Sequence, residues 1–548
     1  MKFLARLRAH WAVRFAARAI TIAIALLVAA IVASVTIDLG PSVRGLGERQ
    51  ASKFLKRDVR FGRLSIHLLR GRILLDDFSI GGVDPGDRPF FVAKRLSLGL
   101  NWLTAFRRVP EFTITSVEMT DWHMLVERWE DHTSFPRFVP ENDRPPGPRR
   151  FTTTLRYLRA WRGEFVYEDH QVPWSVTAPN IDLDITNLPK YHGNAAFHGG
   201  IVQVQNDLPM WVNFKTQFTL DGPKVNLDRI DLDTDGARTV ATGVVDFAHW
   251  PEQVYHVKSA VHFQRMREIF WKDEKWTIPG DGDFAGTFRL YKGGHELSGT
   301  FASPQTGVND YPFSKLYGSL RWTPQAFEVW DAGAVFHGGP AKFSYSIKPL
   351  GKPTRPIARF DTSVSGADLA SFTDAEKLEG VRFGGAVTAR VLIEWPLGRF
   401  VERTGQGTFA VSPPAGVTLA GPALDARTAR DSRPEWGPFA PRQLPPHLPI
   451  GGDLTFQFDP DKVEFTGGRF NTSQTHVTFQ GQTAWGSEGR IAFHVVSRDW
   501  QESDEVMAGI LTAFGAQTGP VAFGGRGEFD GDDGPLPAAP RRRRLHGY

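Results

Sequence analysis

Apolar and polar residues alternate at period two along most of this chain, and that alternation limits what the chain can become. The clearest instance is Val212–Leu220. Val212, Phe214, Phe218 and Leu220 point one way, with Thr216 among them, and Asn213, Lys215, Gln217 and Thr219 point the other. The pattern returns at Leu64–Leu68, Leu96–Trp102, Phe284–Leu290, Phe343–Ile347, Val387–Ile393, Leu454–Phe458 and Val477–Trp485. Such segments read as strands with one dry face and one wet face. The 55 glycines and 38 prolines punctuate them as turns. Beyond residue 60 no window keeps a helical period for more than about three turns, so no long amphipathic helix is expected to cover the dry face. A dry face must be covered. The sheet is left to curl over itself, as a barrel, a sandwich or an open trough.

About thirty strands are too many for one compact barrel. The expected fold is mainly β: an elongated, curled antiparallel sheet with short helices in repeats, stacked into a rod on the order of 140 Å long. An unclosed trough would expose an apolar stripe too large to be without use. The ligand that fits is long and oily, such as a phospholipid acyl chain. Its expected lining is Val212, Phe214, Phe218, Leu220, Phe284, Phe288, Leu290, Phe343, Tyr345 and Ile347.

One stretch departs from the alternation. Ala19–Ile37 is apolar and uncharged, and as a helix it would be about 28 Å long, near the hydrocarbon thickness of a bilayer. Lys2, Arg6, Arg8, Arg14 and Arg18 precede it with no acidic residue. That bias holds residues 1–18 in the cytoplasm and sends the rest across as a single-pass protein. Arg44, Arg49, Lys53, Lys56 and Arg57 follow closely, so the bias depends on the window counted. The alternative is a cleaved signal peptide, whose apolar region is usually shorter. Both readings take the chain out of the cytoplasm. There is no cysteine, hence no disulfide, thiolate nucleophile or cysteine metal site. A net charge of +4 is too small at this length to suggest a nucleic-acid protein.

Taken in order, residues 38–140 form a first module, opened by a short helix over Val43–Arg57 and closed at the proline-rich Pro140–Pro148. Residues 151–410 and 451–531 carry repeated strands, 411–450 a Pro- and Arg-rich surface loop between them, and 532–548 a tail. Lys258–Leu290, Asp361–Leu392 and Val495–Phe529 are diverged copies of one unit: a strand, a short polar helical turn and a glycine-flanked strand.

Chemistry-bearing motifs are sparse. Asp231, Asp233, Asp235 and Gly236 imitate the start of a calcium loop, but its twelfth position is Thr242, so a polar strand edge ending in a turn is expected. Asp182 and Asp184 read as the wet face of a strand, and His337 as a turn residue. GDGDFAG at Gly280–Gly286 lacks the lysine of a phosphate loop. The sequence contains no HExxH and no GxSxG. No catalytic residue, metal site or cofactor is expected, and the chain is not read as an enzyme. Arg541–Arg544 reads as a tail, with anionic headgroups or nucleic acid as the alternative ligands. Trp102, Trp122 and Trp129 are candidates for a membrane-interface position.

Val59–Trp102, with LDDFSIGG at Leu75–Gly82, resembles the amino-terminal module of the AsmA-like / TamB superfamily. Trp161–Leu188, Leu316–Trp322 and Gly338–Ile347 are similar to later segments of that family, and the resemblance covers most of residues 1–535. It implies an inner-membrane-anchored bacterial periplasmic protein whose β-groove moves phospholipid between membranes in outer-membrane biogenesis. It also implies an outer-membrane barrel partner. An assembly factor that pairs with such a partner without conducting lipid is the alternative. Family members continue with further strands after a GEFDG segment, here Gly527–Gly531. This chain departs from that pattern, which puts contact with the outer membrane in doubt.

Overall fold

The computed structural model describes residues 21–29, 40–67, 71–101, 112–136, 151–171, 174–187, 190–204, 207–249, 252–351, 355–375, 382–424, 434–436, 446–484, 490–513 and 523–533. The protein is mainly β. Twenty-five strands make a long, mostly antiparallel sheet, with two further two-stranded pairs. The chain divides into two compact units, Met1–Trp250 and Pro251–Tyr548, and each is taken by itself.

In unit 1, residues 21–29 are helical and exposed. The rest of Ala19–Ile37 and the basic tail lie outside the described residues, and no described helix is long and apolar enough to cross a membrane. Helix α1 (Gly40–Leu55) begins three residues before the expected Val43. Eleven strands follow: β1 (Val59–Arg60), β2 (Arg63–His67), β3 (Arg72–Ile80), β4 (Phe91–Asn101), β5 (Phe112–Arg128), β6 (Phe151–Asp169), β7 (Trp174–Asn187), β8 (Tyr191–Val204), β9 (Met210–Asp221), β10 (Lys224–Thr234) and β11 (Ala237–Asp246). Strands β1 and β2 both pair with β3, and the ladder then runs in chain order to β11.

One joint corrects the expectation of a wholly antiparallel sheet: β5 and β6 are parallel. A parallel pair needs a return segment as long as the strands themselves. Residues 129–150 connect the two in the chain, and the strands flanking Pro140–Pro148 lie side by side. Pro140–Pro148 itself is outside the described residues. Ala51 and Leu55 of α1 pack on a core of Val59, Phe61, Leu75, Phe91, Ala93 and Trp122.

A row of left-handed residues crosses this ladder. Asp77, Asp121, Arg162 and Asn180 have φ of 53°, 51°, 51° and 52°. Cross-strand pairing lapses at each of them, and the register shifts beside Arg162 and Asn180. The shifts beside Arg162 and Asn180 are β-bulges between β6 and β7, which bend those strands. Arg162 grips Asp121 through two hydrogen bonds of 2.6 and 3.0 Å, which ties β6 to β5 within this row.

In unit 2 the strands are β12 (Gln253–His262), β13 (Asp281–Tyr291), β14 (Gly294–Val308), β15 (Tyr311–Trp322), β16 (Phe327–Phe336), β17 (Gly339–Lys348), β18 (Ile357–Asp368), β19 (Phe383–Gly384), β20 (Ala386–Pro396), β21 (Thr404–Ser412), β22 (Pro434–Trp436), β23 (Leu448–Pro449), β24 (Gly451–Phe458), β25 (Lys462–Asn471), β26 (Thr475–Ala484), β27 (Arg490–Ser497), β28 (Phe523–Gly525) and β29 (Gly527–Asp533). The three copies read from the sequence are present as strand–helix–strand. Helix α2 (Phe263–Phe270) joins β12 to β13, α3 (Leu369–Ala375) lies between β18 and β20, and α4 (Trp500–Ala513) between β27 and β29. In each copy the flanking strands pair with one another. The helix is thus an insertion at one end of a hairpin. At 14 residues α4 exceeds the three-turn limit expected from the sequence.

Residues 411–450 are more than a loop. Strand β22 pairs with β28, β23 lies parallel to β19, and the buried Ala420 donates its N–H to Thr472 O at 2.8 Å.

Candidate functional site

The alternation places all ten expected lining residues on the apolar face of their own unit. In unit 1, Val212, Phe214, Phe218 and Leu220 stand opposite Thr234, Leu232, Leu227 and Val225 of β10. On the other side, Phe214 and Phe218 face Phe197 and Gly193 of β8. Thr216 sits among them buried, its hydroxyl donating to Arg229 O at 2.8 Å where β10 is bulged. In unit 2, Phe284, Phe288 and Leu290 face Phe301, Leu297 and His295 of β14. Phe343 and Tyr345 face Ala332 and Val329 of β16, and Ile347 faces Phe327.

These residues are not equally open. Ile347 is 1% exposed, packed with Ala358, Trp395 and Trp271, the last coming from the segment after α2. Tyr345 packs in the same cluster. Burial pushes its phenol well above the usual range, with the nearby Glu274 carboxylate adding to the effect, and its hydroxyl has no hydrogen-bond partner among the described residues. Ile347 is covered floor, as are Val212, Phe218 and Phe284 at 3%, 8% and 8% exposure, while Tyr345 is half-buried with its hydroxyl covered. Phe214, Leu220, Phe288, Leu290 and Phe343 are half-buried. They form the accessible part of the apolar face.

Repeated pairs of phenylalanine and glycine shape that face. Phe456 lies opposite Gly407, and Phe458 opposite Gly405. Phe301 lies opposite Gly318, and Phe218 opposite Gly193. A Cβ added at Gly407 would sit 2.7 Å from the Phe456 ring, and one at Gly405 2.6 Å from that of Phe458. The rings therefore lie flat over glycine α-carbons instead of standing out from the sheet. Burying a phenylalanine this way stabilises by about 2 kcal/mol and leaves the face low.

The opposite face is charged and paired. Arg159 contacts Asp184 at 2.9 Å, and Arg95 contacts Asp76 at 3.0 Å. Asp182 accepts from the Arg162 N–H at 3.1 Å. Asp231 is held by Arg229 at 2.8 Å and Asp233 by Arg238 at 3.5 Å. The Arg229 guanidinium keeps the Asp231 carboxyl below its ordinary pKa. This is the polar strand edge expected, ending in a turn at Gly236. Two open concavities of about 500 and 560 Å³ lie on this polar face across β18, β20, β21 and β24. The pairs Arg359–Glu394, at 2.7 Å, and Arg390–Asp361, at 3.6 Å, line them.

Three other expectations find their place. His337 and Gly338, with φ of 42° and 80°, form the turn between β16 and β17. Trp122 is 7% exposed, its ring over Gly163, so it is a core residue and not an interfacial one. Trp129 stacks between His132 and His170. Trp102 and Arg541–Arg544 lie outside the described residues.

The sequence reading missed a cluster of Glu127, Glu168 and His170, the one group among the described residues with metal-ligand spacing. Its centre holds the Arg88 guanidinium, 2.5 Å from each carboxylate. That cation holds Glu168 below its ordinary pKa and does a metal's electrostatic work. It ties the loop before β4 to the ends of β5 and β6. No sequence signal announced it, because Arg88, Glu127 and the Glu168–His170 pair are far apart in the chain.

No protein-family model and no curated protein matches the chain.

Proposed function

We propose that this protein is a membrane-anchored periplasmic lipid conduit of the AsmA-like kind. In this reading Ala19–Ile37 fixes it to a bacterial inner membrane. The sheet curls into an open trough, and phospholipid acyl chains slide along its apolar face while headgroups stay in water. The observation that carries the reading is the apolar ladder of cross-strand pairs in each unit, open at Phe214, Leu220, Phe288, Leu290 and Phe343 and covered at others. In unit 2 it passes from Phe288 through Leu297, Trp322, Phe327, Ile347 and Trp395, every step a cross-strand pair or, at the last, two pairs through Ala358. Low, flat rings over glycines suit weak, repeated contact better than tight capture. The chain performs no bond chemistry in this reading and needs no cofactor.

The test is photo-crosslinking in membranes. A photoreactive phenylalanine at Phe214 or Phe288 is expected to capture phospholipid, and one at the exposed, polar-face positions Lys215 or Arg289 is not. Absence of lipid at both apolar positions, with the protein folded, rejects the conduit.

One observation favours the second reading, an assembly factor for an outer-membrane barrel protein. Among the described residues β29 is paired on one side only, with β27, and its other edge can accept a partner strand.

A further inference from the structure

Between β20 and β21 a short 3₁₀ turn, Phe400–Glu402, carries two large apolar side chains into solvent. Val401 is 75% exposed, more than any other large hydrophobic side chain among the described residues, and Phe400 is 43% exposed. Nothing about this tip is slack. Trp395 meets the Phe400 ring edge-on with centroids 5.2 Å apart, and the Arg403 guanidinium lies 4.9 Å from that ring. Gly398 N–H donates to the buried Glu274 carboxylate at 3.0 Å. Leu397 N–H donates to Pro356 O at 2.9 Å, which brings Arg355 and the 42% exposed Ile357 beside the tip.

The surroundings are basic. Arg399 and Arg403 flank the tip in the chain, and Lys272 and Lys275 flank Asp273, which touches Gly398. Lys348 pairs with Ile357 in the ladder. The acids nearby are Asp273, Glu328, Glu394 and Glu402, of which Glu402 is joined to Arg399, Glu328 to Lys348 and Glu394 to Arg359. With Arg359 counted, seven cations thus stand against four solvent-facing carboxylates around an apolar point. A protruding apolar tip ringed by arginine and lysine matches an anionic bilayer surface: side chains enter the headgroup region while cations meet lipid phosphates.

We infer that the Phe400–Val401 turn is a membrane-dipping tip that docks this end of unit 2 on an anionic lipid surface. The inference goes beyond the acyl-chain reading and stands without it.

The chain has no cysteine, so Val401→Cys offers one labelling site in the full protein. With an environment-sensitive fluorophore there, the full chain held in neutral nanodiscs is mixed with separate vesicles. Vesicles of phosphatidylcholine with phosphatidylglycerol are expected to shift the emission to the blue and to let doxyl-labelled lipids quench it. The same label at the exposed polar-face Ser344 should not respond. Raising salt to 1 M, where the screening length falls to about 3 Å, should remove the shift, as should Arg399→Glu with Arg403→Glu. Circular dichroism checks that the double variant is folded, and the label alone keeps the test valid if it is not. No shift with anionic vesicles overturns the inference. A shift that is equal on pure phosphatidylcholine and indifferent to salt overturns the anionic partner. A shift produced by a soluble protein fraction instead of vesicles makes the tip a protein-docking point, and overturns it as well.

Discussion

A phenyl ring resting on a glycine α-carbon leaves no room for a side chain, and this determines how substitutions on the apolar face behave. Gly407→Val should destabilise by about 1–3 kcal/mol, since the new methyls meet the Phe456 ring and Arg390 O. Combined with Phe456→Ala the loss should be smaller than the sum of the two, because removing the ring opens the space; chemical denaturation of the four proteins measures it. His295 gives a second prediction at this scale. Its imidazole lies near Phe288 and Trp322, and burial holds it below its ordinary pKa of 6.5. Once unfolded it titrates normally, so just below 6.5 the unfolded chain binds more protons than the folded one. The contribution of His295 to stability is complete above that pH and falls as pH drops through the window. Burial lowers His476 as well, with His494 and Arg469 adding to it, and the sign is the same. Thermal unfolding should therefore shift downward from about pH 7.5 to pH 5, and His295→Gln should reduce that slope.

At the scale of elements, a helix inserted into a hairpin needs an anchor of its own, and buried glutamates provide two. Glu274, after α2, accepts from Trp276 Nε1 at 2.8 Å, Trp395 Nε1 at 3.3 Å and Gly398 N at 3.0 Å, clamping the first copy to a strand of the second. Glu502 of α4 accepts from Thr472, Ser473 and Gln474 at the β25–β26 turn. Glu274→Ala leaves three donors without their acceptor and should cost about 3 kcal/mol. Glu274→Gln, which keeps one carbonyl, should cost less. Denaturation gives the magnitude, and faster amide exchange at Gly398 localises it. The strand–helix–strand order of these copies was legible in sequence, because a polar helical run between two alternating segments changes period twice. The clamps were not, since Glu274 and Trp395 meet only once the strands between them have stacked.

For the molecule as a whole, period two gave the sheet and the faces, and little about neighbours. Val212–Leu220 announced which side is apolar because the alternation is strict. It did not say what lies on top, and so Ile347, sealed under Trp271, reads in sequence like the half-open Phe288. The parallel joint of β5 and β6 was equally hidden: a strand's pattern is the same whichever direction its neighbour runs. The charge cluster around Arg88 follows from that joint, which sets Glu127 beside Glu168. The inserted helices have a consequence for size. Because β12 and β13, β18 and β20, and β27 and β29 close directly on each other, whatever is spliced into their ends leaves the spacing of the ladder untouched. Reach along the stacking direction is then counted in strands, about 4.8 Å apiece. Lids, clamps and tips can be exchanged at the hairpin ends without altering that span.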